Sequence, residues 1–375
     1  MSNCKTQLRI RVIALFTLLM SSVMPGLLSA AEVEGLYEAE IQVVGQGKAE
    51  QGEAIRAALA EVLMKVTGRR GVAALPTLAP MFKRADKVAQ QYRYRPLTED
   101  MARIIPVAPS AVQPPGKPVA AKGQVLWVSF DSATVNQALR QAGLPVWGRV
   151  RPATLILLAM EGQDQRTVLL GDSRPELQSI MENRARRRGL PVLLPQDAEA
   201  EGGVRFADVW SNARDALLKA AARGQTEAVL AGRLSLRSGT WRVRWTFYQG
   251  GGEAVNWESV ASAPQDVLEA GIDGAADELA KRFAQVLSDA AATSVLMTVT
   301  NITTLDDYAR TMNYLQSLAG VTEAAVVRVK ADSVTFRVLT RSSDSGLAQS
   351  IALGSILSVA NSDPAASELK YILLP

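Results

Sequence analysis

The chain runs to 375 residues, carries 41 Lys+Arg against 37 Asp+Glu, and contains no histidine and a single cysteine, Cys4. Those absences exclude Ser/His/Asp and Cys/His catalysis, imidazole- or thiolate-bound zinc, haem ligation and disulfides from everything past the first few residues. With 48% hydrophobic residues the chain can instead bury apolar cores, enough for two or three domains.

Residues 1–31 read as an export leader. Lys5, Arg9 and Arg11 precede an apolar run over residues 12–28, and either Leu28-Ser29-Ala30 or Ser29-Ala30-Ala31 fits a small-residue cleavage site. Pro25 and Gly26 break the helix just ahead of it. The alternative is an uncleaved inner-membrane anchor, since a run of about 17 residues is the shortest that spans a bilayer. Cys4 stands before the apolar run, which is not the placement of a lipoprotein cysteine. Without the leader's three cations, 38 basic residues face 37 acidic ones. So even a balance gives no global attraction to nucleic acid.

Residues 32–150 form an N-terminal α+β module. Leu36, Ala39, Ile41 and Val43 predict a strand ending at Gly45-Gln46-Gly47. Ile55, Leu59, Val62, Leu63 and Val66 then recur at helical spacing until Thr67-Gly68. A second helix is expected over residues 78–90, followed by strands through Tyr92 and Tyr94 and over residues 125–131. Between those strands, residues 106–123 hold Pro106, Pro109, Pro114, Pro115 and Pro118, a composition that reads as an insertion joining two strands of one hairpin. A helix capped by Asp131 or Ser132 ends at Gly143.

Residues 151–292 alternate strand and helix. Residues 153–160 are a fully apolar strand of the kind buried on both faces; helices are expected over 175–188 and 208–222, and strands over 190–194 and 228–236. Trp241, Val243, Trp245 and Phe247 alternate with Arg242, Arg244 and Thr246, the pattern of a half-exposed antiparallel strand in a meander. From Pro264 a long helix turns Leu268, Ile272, Ala276, Leu279, Phe283 and Val286 inward. Residues 293–375 read in the order βαββαβ, with strands over 295–302, 326–329, 334–339 and 369–373 and helices over 305–318 and 346–357. The fold class is therefore α/β and α+β in three modules, the last a ferredoxin-like βαββαβ sandwich.

Candidate chemistry is sparse. Gly45-Gln46-Gly47-Lys48 suggests a phosphate loop, but Ala49 stands where Ser or Thr should bind the metal, so a simple strand-to-helix turn is expected. Arg184, Arg186, Arg187 and Arg188 are expected to be a solvated helix end facing the negative pole of the helix dipole, with a patch for acidic partners or lipid headgroups as the alternative. Asp306-Asp307, Asp273 with Asp277, and Glu199 with Glu201 are the nearest paired acids for acid/base work; none comes with an apolar pocket signal. Trp241, Trp245 and Trp257 read as core more than as a ligand platform. Asn301-Ile302-Thr303 fits a glycosylation acceptor but reads as a strand end followed by a cap.

One arrangement stands out. If Leu234 and Leu236 face the same core as Trp241, Val243, Trp245 and Phe247, alternation puts Arg233, Arg237, Arg242 and Arg244 together on the opposite face. Like charges on neighbouring strands repel, so something acidic should offset them. Glu258 can supply part, and the rest points to an acidic partner.

The strings Ala57-Ala58-Leu59, Val62-Leu63-Met64-Lys65-Val66-Thr67-Gly68, Gln91-Tyr92-Arg93-Tyr94, Leu126-Trp127-Val128-Ser129-Phe130-Asp131, Ala142-Gly143-Leu144-Pro145-Val146-Trp147-Gly148, Arg151-Pro152 and Arg187-Arg188-Gly189-Leu190-Pro191 together resemble a bacterial exported family catalogued as domain of unknown function 2066. The resemblance spans residues 33–283 and implies an exported envelope protein, with no catalytic residues to carry over. More loosely, the second module is similar to α/β domains of bacterial envelope accessory proteins. The reading is a periplasmic, non-catalytic binding or assembly module without cofactor, contacting an envelope protein or an anionic envelope polymer, with no nucleic acid and no stable membrane span. The alternatives are a carboxylate- or Ser/Lys-based periplasmic hydrolase and a small-molecule carrier using the Trp-lined second module.

Overall fold

The computed structural model describes residues 31–109, 123–162, 166–169, 174–195, 204–250, 252–354, 356–360 and 369–374. The expected leader, most of the Pro-rich insertion, and Glu199 with Glu201 lie outside the described residues. The class is α/β and α+β.

After a two-residue strand β1 (Ala31–Glu32), β2 (Glu38–Val43) leads into helix α1 (Lys48–Thr67). Gly68 ends that helix in the left-handed region at φ 68°, where glycine carries no Cβ penalty. The helix expected over residues 78–90 breaks into single turns at Ala79–Phe82 and Ala85–Val88, because the chain from Ala89 onward is drawn into a sheet. There β3 (Ala89–Pro96) pairs antiparallel with β4 (Gln124–Phe130), and β4 pairs with β2. The strands flanking the Pro-rich segment thus belong to one sheet, with the short helix α2 (Glu99–Ile104) between them. Helix α3 (Ser132–Gln141) starts where Asp131 accepts the Thr134 amide at 2.8 Å.

Two short strands, β5 (Pro145–Val146) and β6 (Val150–Arg151), lead into the second sheet. Its centre is β7 (Thr154–Glu161), apolar and buried as expected, flanked on one edge by β8 (Arg166–Val168). Helix α4 (Pro175–Arg188) and β9 (Val192–Leu193) follow. The helix expected over residues 208–222 is split into α5 (Phe206–Trp210) and α6 (Arg214–Arg223), because Asn212 takes φ 57°, which no α-helix can carry. Then come β10 (Ala228–Arg237), parallel to β7, and the antiparallel meander β11 (Thr240–Gln249) and β12 (Val255–Ala261). Helix α7 (Pro264–Phe283) stops short of Val286, which is exposed in β13 (Gln285–Val286) paired to β5.

This sheet is covered on both sides. One face packs Ile156, Leu158, Leu230, Val243 and Trp245 against α4 and α7; the other packs Leu155, Leu157, Val229 and Tyr248 against α5 and α6. Of the three tryptophans, Trp245 is core: it is buried with Nε1 donating to Ser259 Oγ at 3.0 Å, while Trp241 and Trp257 are half-buried and pack against the same cluster. A Cβ at Gly271 of α7 would sit 2.3 Å from its ring, so only glycine lets the helix pack this closely.

The last sheet runs β15–β16–β14–β18–β17, built from β14 (Thr293–Thr300), β15 (Val321–Val329), β16 (Ser333–Thr340), β17 (Leu357–Val359) and β18 (Leu369–Leu373). Helices α8 (Leu305–Ser317) and α9 (Asp344–Leu353) contribute Leu315, Leu347 and Ile351 to its buried face. The βαββαβ order is present and gains one strand. β17 holds the antiparallel outer position, while β18 inserts beside β14 and runs parallel to it. Helix α9 is shorter than expected because Gly354 ends it and frees residues 357–359 for the sheet.

One fully buried side chain is central to the contact between the first two sheets. Arg151 has no exposed surface, lies with its guanidinium 3.9 Å over the Trp147 ring, and spends all five N–H donors on backbone carbonyls: Nε on Gly148, Nη1 on Arg188 and Gly189, Nη2 on Lys65 and Trp147. Lys65 and Arg188 sit in the last turns of α1 and α4, where carbonyls lack helical partners and the dipole favours a cation. Replacing Arg151 by alanine strands five carbonyls and is expected to cost about 3–5 kcal/mol, on the order of 1 kcal/mol for each acceptor left unpaired. Arg151→Lys should restore only part of this, because a lysine has three donors and no fork. Urea midpoints of both variants check this; a midpoint unchanged in Arg151→Ala would contradict it.

Candidate functional site

The four arginines named from the alternation come together. On the sheet face shared with α5, Arg233 of β10 lies directly across from Arg244 of β11, and Ser235 lies across from Arg242. Each rung continues onto neighbouring strands, Arg244 to Glu258 of β12 and Ser235 to Glu161 of β7. Arg233, Arg237, Arg242, Arg244, Ser235, Glu161 and Trp210 enclose a basin of about 250 Å³.

The place follows from topology. Glu161 ends β7, and Arg233 and Arg237 lie in the last half of β10, so the basin sits outside the carboxyl ends of the two parallel strands. That is where open α/β sheets leave a crevice for ligands. Helix α5 covers the adjoining face only as far as Trp210, whose carbonyl accepts from Arg233 Nη1 at 3.3 Å.

Its charges are incompletely offset. Glu258 accepts from both Arg242 and Arg244, the latter at 3.0 Å. Glu161 is held by Arg166 at 3.0 Å and lies 3.9 Å from Arg237. Arg233 pairs with no carboxylate within 4.0 Å among the described residues, yet it is half-buried and faces another arginine. One expectation needs correction: Leu236, placed by alternation on the core face, is 47% exposed, because it stands at the end of the hairpin beyond the reach of α7.

Of the arginine cluster of α4, Arg186 is the solvated helix-end residue expected, but Arg184, Arg187 and Arg188 are not. Arg188 is fully buried, bonded to Asp273 at 3.2 Å, Asp277 at 2.6 Å and the Gly68 carbonyl at 2.7 Å. Arg184 clamps Asp273 with Nε and Nη2, Arg187 pairs with Glu61, and Arg70 reaches Asp277 at 2.7 Å. The network ties α4 to α1 and α7. Burial opposes the charge on Arg184, but the Asp273 carboxylate outweighs it and raises the guanidinium above its usual range. Helical spacing could not reveal this, because the acids lie almost ninety positions downstream of the arginines. Asp273 and Asp277, considered as an acid pair, are therefore held as counter-ions.

Sequence reasoning missed a cleft of about 520 Å³ between the first sheet and α4, lined among others by Glu38, Glu40, Glu61, Lys65, Trp127 and Arg187. Its carboxylates are taken: Glu38 accepts from Trp127 Nε1 at 3.1 Å, Glu40 from Arg95 at 2.6 Å, and Glu61 from Arg187. Lys65 Nζ donates to the carbonyls of Gly35 and Glu38. Burial lowers its ammonium to about 8, against the pull of Glu61. No acid and base face each other across a free gap here, so the cleft offers binding space more than a proton relay.

Gly47 is the N-cap of α1, its amide on Glu50, and serves as a turn. Asp307 caps α8 together with Thr304. Asn301 takes φ 66° and donates to the Leu373 carbonyl at 3.0 Å, the strand end expected of it. Among the described residues no group of three or more acids, histidines or cysteines is placed to hold a metal. Among them, too, no helix is long and apolar enough to cross a membrane.

Residues 30–148 match the family described as Domain of unknown function (DUF8605). No curated protein and no solved structure matches the chain. The match corrects the resemblance to domain of unknown function 2066 and brings no exported family with it. The strings that suggested that resemblance are helix faces, strand alternations and glycine stops such as Gly68 and Gly143. Those are packing requirements that unrelated families share.

Lys65 gives the cleft a pH signature. A lysine whose folded value lies near 8, below its ordinary 10.5, binds fewer protons folded than unfolded between those limits. Its contribution to stability therefore rises as pH climbs from about 8 towards 10.5 and is absent below 8. Urea midpoints across that window should climb more steeply in the wild type than in Lys65→Met; equal slopes would show that the amine is not held in this way.

Proposed function

We propose that this chain is an exported cell-envelope protein that acts as a non-catalytic binding or assembly module, and that the arginine basin is where it grips an anionic partner. The observation that carries the reading is the Arg233–Arg244 pair. Directly opposed like charges cost on the order of 0.2–1 kcal/mol, a cost that an anion bound in the basin would offset. Arginine suits the task because its planar fork holds carboxylate or phosphate oxygens with several donors at once. The basin lies open on a covered, rigid sheet, so little ordering is needed when a partner arrives. Export rests on the pattern of residues 1–31. An acidic envelope protein and an anionic envelope polymer both meet the chemistry.

The hydrolase reading is weaker, because the acids of the larger cleft are already bonded to Trp127, Arg95 and Arg187. The carrier reading is weaker too, since Trp245 is enclosed in the core.

Because the overall charge is near neutral, retention on an immobilised polyanion reports the local patch. The wild type should bind polyglutamate or polyphosphate resin at low salt and elute as salt rises. Arg242→Gln with Arg244→Gln should elute clearly earlier while its melting temperature stays nearly unchanged or rises slightly. Unchanged retention by the double variant, or a large loss of stability, would assign these arginines to the scaffold.

A further inference from the structure

We infer that the anion the basin takes is a phosphate, presented by an anionic phospholipid headgroup, so that the β10–β11 hairpin docks the protein on a membrane surface. This rests on the basin being an anion site, and narrows it.

The basin's shape favours a compact, many-sided anion. At about 250 Å³ it is smaller than ordinary small-molecule pockets and admits one charged group, not a folded element. A carboxylate offers two coplanar oxygens and is satisfied by one or two guanidinium groups, which is what Glu258 does at the rim for Arg242 and Arg244. The donors of the basin come from two neighbouring strands. Arg233 and Arg237 project from β10, Arg242 and Arg244 from β11, and the Ser235 hydroxyl lies between them. Converging donors on two strands match the tetrahedral oxygens of a phosphate better than a flat carboxylate. Four arginines against Glu161 and Glu258, with Glu161 already held by Arg166, leave the basin positive.

The source of the phosphate is read from the same end of the hairpin. The strands turn at Ser238 and Gly239, both at positive φ. Beside that turn Leu236 is 47% exposed, with the half-buried Trp241 across from it, and Val260, directly across from Arg242, is 49% exposed. Apolar side chains and a tryptophan flanking a cluster of arginines are the parts of an interfacial anchor. The apolar groups enter the headgroup boundary while the guanidinium groups stay at phosphate depth.

Vesicle sedimentation with the full chain tests this. Phosphatidylcholine vesicles doped with phosphatidylglycerol should carry the protein down at low salt, and pure phosphatidylcholine should not. Arg233→Gln with Arg244→Gln should weaken vesicle binding roughly thirty-fold, the effect of losing two cations near an anionic surface. Leu236→Ser should weaken vesicle binding while leaving retention on polyphosphate resin intact. Its melting temperature, taken alongside, guards against misfolding. Polyphosphate or inorganic phosphate binding without vesicle binding would keep the phosphate and overturn the lipid. Retention on polyglutamate alone would overturn the inference and leave the proposed function standing. Loss of all polyanion binding in a folded wild type would remove both.

Discussion

The buried guanidinium of Arg151 is the contact on which the arrangement of the first two sheets depends. It has no carboxylate partner among its hydrogen bonds; its five donors end on carbonyls of Trp147, Gly148, Lys65, Arg188 and Gly189. Burial pulls its charge down to about 9, so it stays protonated at neutral pH. What holds a bare cation there is the negative end of two helices, α1 and α4, that stop on either side of it. Arg188, at the end of α4, is neutralised by Asp273 and Asp277 from α7. Two arginines thus hold the C-terminal ends of α1 and α4 against each other and against the middle of α7. The parallel strands β7 and β10 take their positions from that packing, and the basin lies at their far ends.

The two arginine clusters show opposite solutions to one electrostatic problem. On α4, Arg184, Arg187 and Arg188 each meet a carboxylate, and the charges disappear into the structure. On β10 and β11, Arg233 meets none within reach among the described residues, and Arg237 only a distant Glu161. A protein that can neutralise three arginines in one place can do so in another. Under the proposed reading, leaving Arg233 and Arg237 without a close carboxylate among the described residues keeps that face ready for an external anion, at a modest cost in stability.

Much of this was legible before the fold was seen, where local rules decide. The period-two alternation through Trp241, Val243, Trp245 and Phe247 fixed the face of Arg242 and Arg244, and a tight turn at Ser238-Gly239 carried that face across to Arg233 and Arg237. Helix α4 and the Gly68 and Gly189 stops were readable from proline and glycine chemistry. What local rules could not reach were pairings distant in sequence. Arg188 and Asp273 lie 85 positions apart, so nothing at helical spacing distinguished a buried network from a solvated helix end. The extra strand β17 and the break at Asn212 escaped for a different reason. Residues 357–359 carry an apolar pattern too short to separate strand from helix, and asparagine enters the left-handed region only where tertiary packing asks for it.

If the basin is charged for an external anion and not for the fold, its repulsion should be measurable in the unliganded protein. The most direct test is the melting temperature of the wild type and of Arg233→Gln across a salt series without polyvalent anions. The account predicts that at low salt the variant is at least as stable as the wild type, and that the difference closes as salt screens the opposed arginines. A variant clearly less stable than the wild type at low salt would mean that Arg233 is held by the scaffold, and would contradict the account.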